Sequence, residues 1–108
     1  MLNKAERLNH SLFSKYYQEG KRIHNKYTTI IVSPHNKFMG SVVVGKKVAK
    51  KAHDRNKIKR RIYEIVREFK TESKISGIYI IIAKPIIKNL NKSEFKNLLT
   101  LEVGRVLK

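Results

Sequence analysis

Six consecutive apolar residues, Ile78 to Ala83 (IYIIIA), constrain the fold of this chain more than any other feature. A strand with one wetted face alternates apolar with polar residues, so a run without a polar side chain reads as a strand covered on both faces. Pro85 closes it. Two further β-branched runs precede it: Tyr27 to Ser33 (YTTIIVS), ended by Pro34, and Phe38 to Gly45 (FMGSVVVG). The short SPHNK link between them predicts an antiparallel hairpin, and Ile23 is a candidate for a small additional strand.

Helical spacing accounts for the rest. Residues 9 to 18 read as a short first helix, capped by Asn9 or Ser11 and stopped by Gly20. Leu8, Leu12 and Tyr16 can face a core, while Phe13 and Tyr17, four apart, form a second ridge turned about 80–100° away. Core is the commoner use of aromatic residues at this spacing. The helix is short, however, and one stripe suffices to dock it, which makes Phe13 and Tyr17 candidates for stacking on unpaired bases. Thr71 to Gly77 reads as a polar loop. Asn91 with Glu94 makes a capping box opening a last helix, buried through Phe95, Leu98, Leu99, Val103 and Val106. With no repeat, linker or low-complexity segment, residues 1–108 read as a single domain of the α+β class, a layered structure in α-β-β-β-α-β-α order.

Lys46 to Arg61 (KKVAKKAHDRNKIKRR) concentrates the charge of the chain, whose pI near 10.3 narrows the partner to nucleic acid, an anionic membrane or an acidic protein. Nine basic residues there, Lys46, Lys47, Lys50, Lys51, Arg55, Lys57, Lys59, Arg60 and Arg61, stand against one acid, Asp54, and supply about half of the net charge of +17. Mutual repulsion of this kind is relieved by a polyanion. Disorder is the bland explanation of a basic run, but Ile58, Ile62, Ile65, Val66 and Phe69 keep one flank of a 3.6-residue helix apolar. Advancing about 100° per residue from Arg55, the apolar stripe centres near about 310°, and Arg55, Asn56, Lys59, Arg60, Tyr63 and Arg67 spread over about 0–140°. Glu64 and Glu68 occupy the remaining arc, where Glu64 can meet Arg60 or Arg61. Asp54 is a candidate N-cap, with Lys51 the earliest start.

Composition excludes several classes. There is no cysteine, hence neither a disulfide nor a thiolate metal site. No apolar run is long enough for a bilayer, and MLNKAERLNH lacks the apolar centre of a signal peptide, so the expectation is a cytoplasmic protein without a membrane partner. His10, His24, His35 and His53 lie in polar or basic stretches with no carboxylate at helical spacing and no metal-ligand pair. No glycine-rich phosphate loop occurs, since Gly40 and Gly45 read as strand residues. The expectation is therefore no catalytic residue, no metal site and no cofactor bound by the protein.

The segment SVVVGKKVAKKAHDRNKIKRRIYEIVREF resembles the signature region of the protein subunit of bacterial ribonuclease P. There a strand runs into a Lys-Lys pair, followed by an Arg-Asn-Arg motif, an apolar residue, Lys-Arg and an amphipathic helix. Here these are Lys46-Lys47, Arg55-Asn56-Lys57, Ile58 and Lys59-Arg60. Arg7-Leu8, Phe13, Tyr17, Gly20, YTTIIVS and GIYIIIAK follow in family order, so the likeness covers residues 7 to 84. Lys57 departs from the family by replacing a planar, bidentate arginine with a point charge. Gly77 stands where an acid often precedes the last strand, and Lys84 where arginine often follows it.

The resemblance implies a four-stranded sheet with a left-handed βαβ crossover, as in the second domain of ribosomal protein S5, against the usual handedness. It implies a ribonucleoprotein endoribonuclease that removes the 5′ leader of precursor tRNA, with catalysis and magnesium belonging to the RNA subunit. Lys46, Lys47, Lys50, Lys51, Arg55, Asn56, Lys57, Lys59 and Arg60 would bind the catalytic RNA, one protein per RNA, and Phe13 and Tyr17 would line a cleft for the single-stranded leader. Two rival readings share the charge: a generic RNA-binding or ribosomal protein, and a DNA-compacting or anionic-membrane protein. Asn56, which adds hydrogen bonding without charge, argues against binding by charge alone.

Overall fold

The computed structural model describes residues 2, 4–72 and 74–107. A 3₁₀ turn (Lys4–Glu6) leads into α1 (His10–Glu19), followed by β1 (Lys21–His24), β2 (Thr28–Ser33), β3 (Phe38–Val43), α2 (Ala52–Glu72), β4 (Gly77–Ala83), a second 3₁₀ turn (Pro85–Asn89) and α3 (Lys92–Leu107). Ile23 lies in β1, so the additional strand is real. The loop expected from Thr71 is shorter, because α2 runs on to Glu72; Ser73, inside that stretch, lies outside the described residues.

The four strands form one sheet in the order β1-β2-β4-β3. The hairpin expected from the SPHNK link does not form: β4 lies between β2 and β3, antiparallel to the first and parallel to the second. The five peptide steps from Ser33 to Phe38 reach about 16 Å, ample to pass over one strand at two spacings of about 4.8 Å. The apolar run takes the centre, where both its faces are covered, with Ile78, Ile80 and Ile81 each no more than 1% exposed. Gly45 falls beyond β3, so only Gly40 of the two glycines is a strand residue.

Register assigns the two faces. The row Ile30–Ile81–Val42 packs with Ile62, Ile65, Val66 and Phe69 of α2 and Phe95, Leu99, Val103 and Leu107 of α3 in the main core. The row Ile31–Ile80–Ser41 faces the other way, where α1 packs against β2 and β4. Gly20 is required there by space rather than by backbone conformation. Its φ is −70°, but a Cβ would come within 2.4 Å of Ile31 Cγ2. Leu12 and Tyr16 dock this helix while staying half-buried, and no residue of α1 reaches full burial.

Local chemistry set several boundaries. Asn9 accepts from the Leu12 amide at 2.9 Å and caps α1, and Asn91 and Glu94 exchange hydrogen bonds of 2.8 and 3.0 Å in the expected capping box. Asp54 is not a cap: α2 starts at Ala52, which puts its carboxylate in the first turn, where negative charge still suits the helix dipole. Tyr63, placed on the basic arc by angle, is buried. Its hydroxyl accepts from the Val42 amide at 3.1 Å and thereby satisfies a donor of the edge strand β3.

Candidate nucleic-acid interface

Between β3 and α2 the chain makes a tight turn, with the amides of Val48 and Ala49 donating to the Gly45 carbonyl. Val48 is buried at 3% exposure and anchors the turn, which leaves Lys46, Lys47, Lys50 and Lys51 directed to solvent. Arg55, one turn into α2, is half-buried. Its Nη1 donates to the Ala49 carbonyl at 3.1 Å and the Lys50 carbonyl at 2.6 Å, so this arginine fastens the lysine turn to the helix.

The motif residues do not all converge. Arg55 and Lys59 share a flank of α2, both half-buried, with Asn56 and Arg60 exposed beside them. Lys57 is rotated away, and with Val48, Ala49, Asp54, Ile58, Arg61 and Ile87 it lines a depression toward the second 3₁₀ turn. Lys88, on that turn, also lines this depression and a second one bounded by Lys46, Lys47 and Lys50. Sequence reasoning did not find Lys88, because only the tertiary fold brings the segment after β4 to the turn after β3.

On the opposite face of the sheet, Phe13 and Tyr17 stack on each other, centroids 5.6 Å apart and planes inclined by 27°. Tyr17 is 39% exposed and Phe13 half-buried. Arg22 of β1 lies over the Tyr17 ring at 4.6 Å and donates from Nη2 to the Tyr17 carbonyl at 3.3 Å. Register puts Arg22 and His24 on the same side of the sheet as Thr29, Ile31 and Ile82, and His24 Nδ1 sits 3.2 Å from Thr29 Oγ1. Arg22 was also missed from sequence; the alternation of the short strand Lys21–His24 was the available signal, since it sends Arg22 and His24 to one face.

Among the described residues, no three His, Asp or Glu side chains could hold a metal ion, and no helix is long and apolar enough to cross a membrane. A sheet with a cationic turn and helix on one side, and a stacked aromatic pair under an arginine on the other, defines a small basic RNA-binding protein of the α+β class.

The comparisons agree. The profile of the Ribonuclease P family matches residues 2–106. The ribonuclease P protein component of Phytoplasma australiense is 35% identical over 83 residues, covering 74% of this chain and 71% of that protein. That of Lactobacillus gasseri is 31% identical over 100 residues, covering 88% and 82%. The solved RNase P protein of Staphylococcus aureus superposes with a TM-score of 0.81 at 27% identity, over 97% of this chain and all of that one. This chain belongs to the ribonuclease P protein family.

Proposed function

We propose that this chain binds the catalytic RNA of ribonuclease P through its cationic turn and the start of α2, and grips the 5′ leader of precursor tRNA against Phe13 and Tyr17. The observation that carries the reading is that the two surfaces lie on opposite faces of one sheet and differ in chemistry. Lys46, Lys47, Lys50, Lys51, Arg55, Asn56, Lys59 and Arg60 offer charge with one amide, suited to the backbone of a structured RNA. The other face offers flat rings and a guanidinium, suited to unstacked bases and their phosphates. One protein can therefore hold catalyst and leader at once.

The work of the protein in this reading is binding and orientation. Leader contacts strengthen binding of precursor and are absent from mature tRNA, so they favour substrate over product. In this reading the magnesium ions of hydrolysis belong to the RNA subunit. Lys57, directed away from Arg55, contributes charge toward the second 3₁₀ turn rather than to the Arg55 flank. The generic RNA-binding reading has no use for a stacking surface on the far side of the sheet.

Reconstitution tests this. Purified protein with precursor tRNA should give no cleavage, and addition of a bacterial ribonuclease P RNA should give cleavage at the mature 5′ end under near-physiological magnesium. Site-specific cleavage by nuclease-free protein alone, or failure of the protein to assist the RNA, sinks the reading.

A further inference from the structure

We infer that Lys88 is a phosphate-binding residue of the catalytic-RNA interface, which extends across the second 3₁₀ turn as well as the β3–α2 turn. This rests on the function proposed above and adds a chain segment to the site. One depression is lined by Lys46, Lys47, Val48, Ala49, Lys50 and Lys88, four ammonium groups around an apolar floor without an acid. Lys88 also borders the depression lined by Lys57 and Arg61, where Asp54 is the one carboxylate. It is the single cation common to both.

Its backbone is held in place. Pro85 opens the turn with φ preset, the Ile87 amide donates to the Lys84 carbonyl at 3.0 Å, and the Ile87 side chain is buried at 1% exposure. The Lys84 amide in turn donates to the Tyr27 carbonyl at 2.9 Å. Lys88 therefore projects from an anchored segment, and its side chain is exposed. Four like charges around an open hollow repel one another, and a ligand with regularly spaced negative charges relieves them all. The sugar–phosphate backbone of RNA has that spacing. The catalytic RNA is its source rather than the leader, because Lys88 lies on the α2/α3 side of the sheet and the aromatic ridge on the other.

The test compares three variants, each checked by thermal melting, for binding of ribonuclease P RNA over a salt series. Lys46→Ala/Lys47→Ala is the reference for the interface. Lys88→Ala is the question. Lys96→Ala is the control, because Lys96 lines a separate groove with Glu64 and Glu68. Loss of one phosphate contact reduces the slope of log affinity against log salt by about 0.9, which is roughly tenfold in affinity at about 0.1 M salt. That change is expected for Lys88→Ala and not for Lys96→Ala. If the lysine pair weakens binding while Lys88→Ala matches Lys96→Ala, the inference is wrong and the proposed function stands. If the lysine pair has no effect, both fall. A Lys88→Ala defect confined to precursor with a leader assigns the residue to the leader and also overturns the inference.

Discussion

The guanidinium of Arg22 lies 4.6 Å over the ring of Tyr17 and donates to the carbonyl of the same residue, so β1 holds the exposed end of α1 by its aromatic side chain and its backbone together. The contact orients Tyr17 and sets a cation beside its exposed ring, which under the proposed function would meet a leader phosphate.

Arg22→Ala should therefore weaken holoenzyme binding of precursor with a leader several nucleotides long and leave mature tRNA unaffected. One single-strand phosphate contact corresponds to a salt slope lower by about 0.7. Arg22→Lys should restore the slope but only part of the affinity, because an ammonium lacks the planar face that stacks on Tyr17. Equal effects on the two RNAs would remove Arg22 from the leader cleft.

Arg55 fastens the lysine turn to α2 and, in the proposed function, also contacts the catalytic RNA. Arg55→Ala should cost about 1.5–3 kcal/mol in binding to the catalytic RNA, against a few tenths for the control Lys96→Ala. Arg55→Lys keeps the charge, but a single ammonium is poorly shaped to bridge the Ala49 and Lys50 carbonyls, so it should recover only part of the loss and increase amide exchange in residues 46–51. Full recovery by lysine would show that charge alone matters there. Lys88 borders the depression lined by Lys46, Lys47 and Lys50, in the turn that Arg55 fastens, and is unsuitable as a control.

Among the described residues, Glu102 is the one charged residue in the core. Its two oxygens accept from the Tyr27 amide and the Thr28 hydroxyl, each at 2.9 Å, joining α3 to the start of β2. Glu102→Ala strands two buried donors and should destabilise the fold by about 2–5 kcal/mol, read as a lower urea midpoint. Glu102→Gln retains an acceptor for the Tyr27 amide and should cost less. A loss below about 1 kcal/mol for the alanine variant would mean that water replaces the carboxylate.

Tyr79 gives an alkaline signature. Burial raises the pKa of its phenol above the ordinary 10.0, while the hydroxyl donates to the Ser76 carbonyl at 2.8 Å. The native state holds this proton more tightly than the unfolded chain does. Its stabilising contribution is therefore complete below pH 10 and lost as pH rises through the higher native value. Wild-type protein should lose more stability between pH 9 and 11 than Tyr79→Phe, which has no proton to release. Parallel curves for the two proteins would contradict this.

What could be read from sequence was what neighbours in the chain decide. Asn9 and the Asn91/Glu94 pair cap their helices as expected because capping is a local hydrogen-bond problem. The central place of β4 followed from an apolar run that has to be covered on both faces. The false hairpin came from giving a short link more weight than that central strand. Tyr63 was misplaced because helical angle ignores a side chain long enough to reach the β3 edge. Lys88 and the Arg22–Tyr17 contact depend on segments joined only by the fold; alternation in β1 marks the face of Arg22 but not its partner, and no local pattern marks Lys88.

The central claim, two RNA surfaces on opposite faces of one sheet, is tested most directly by replacing both Phe13 and Tyr17 with leucine. Both rings lie at the surface of α1, so leucine should preserve helix and docking, and the melting temperature should change little. Loss of the flat faces should cost about 1–3 kcal/mol per stacked base. In the assembled enzyme, the dissociation constant for precursor with a leader should rise at least tenfold, while that for mature tRNA and that of the protein for the catalytic RNA stay unchanged. An unchanged ratio of precursor to mature affinity, or a fold destabilised with both RNAs affected alike, would contradict the claim and return the two rings to packing.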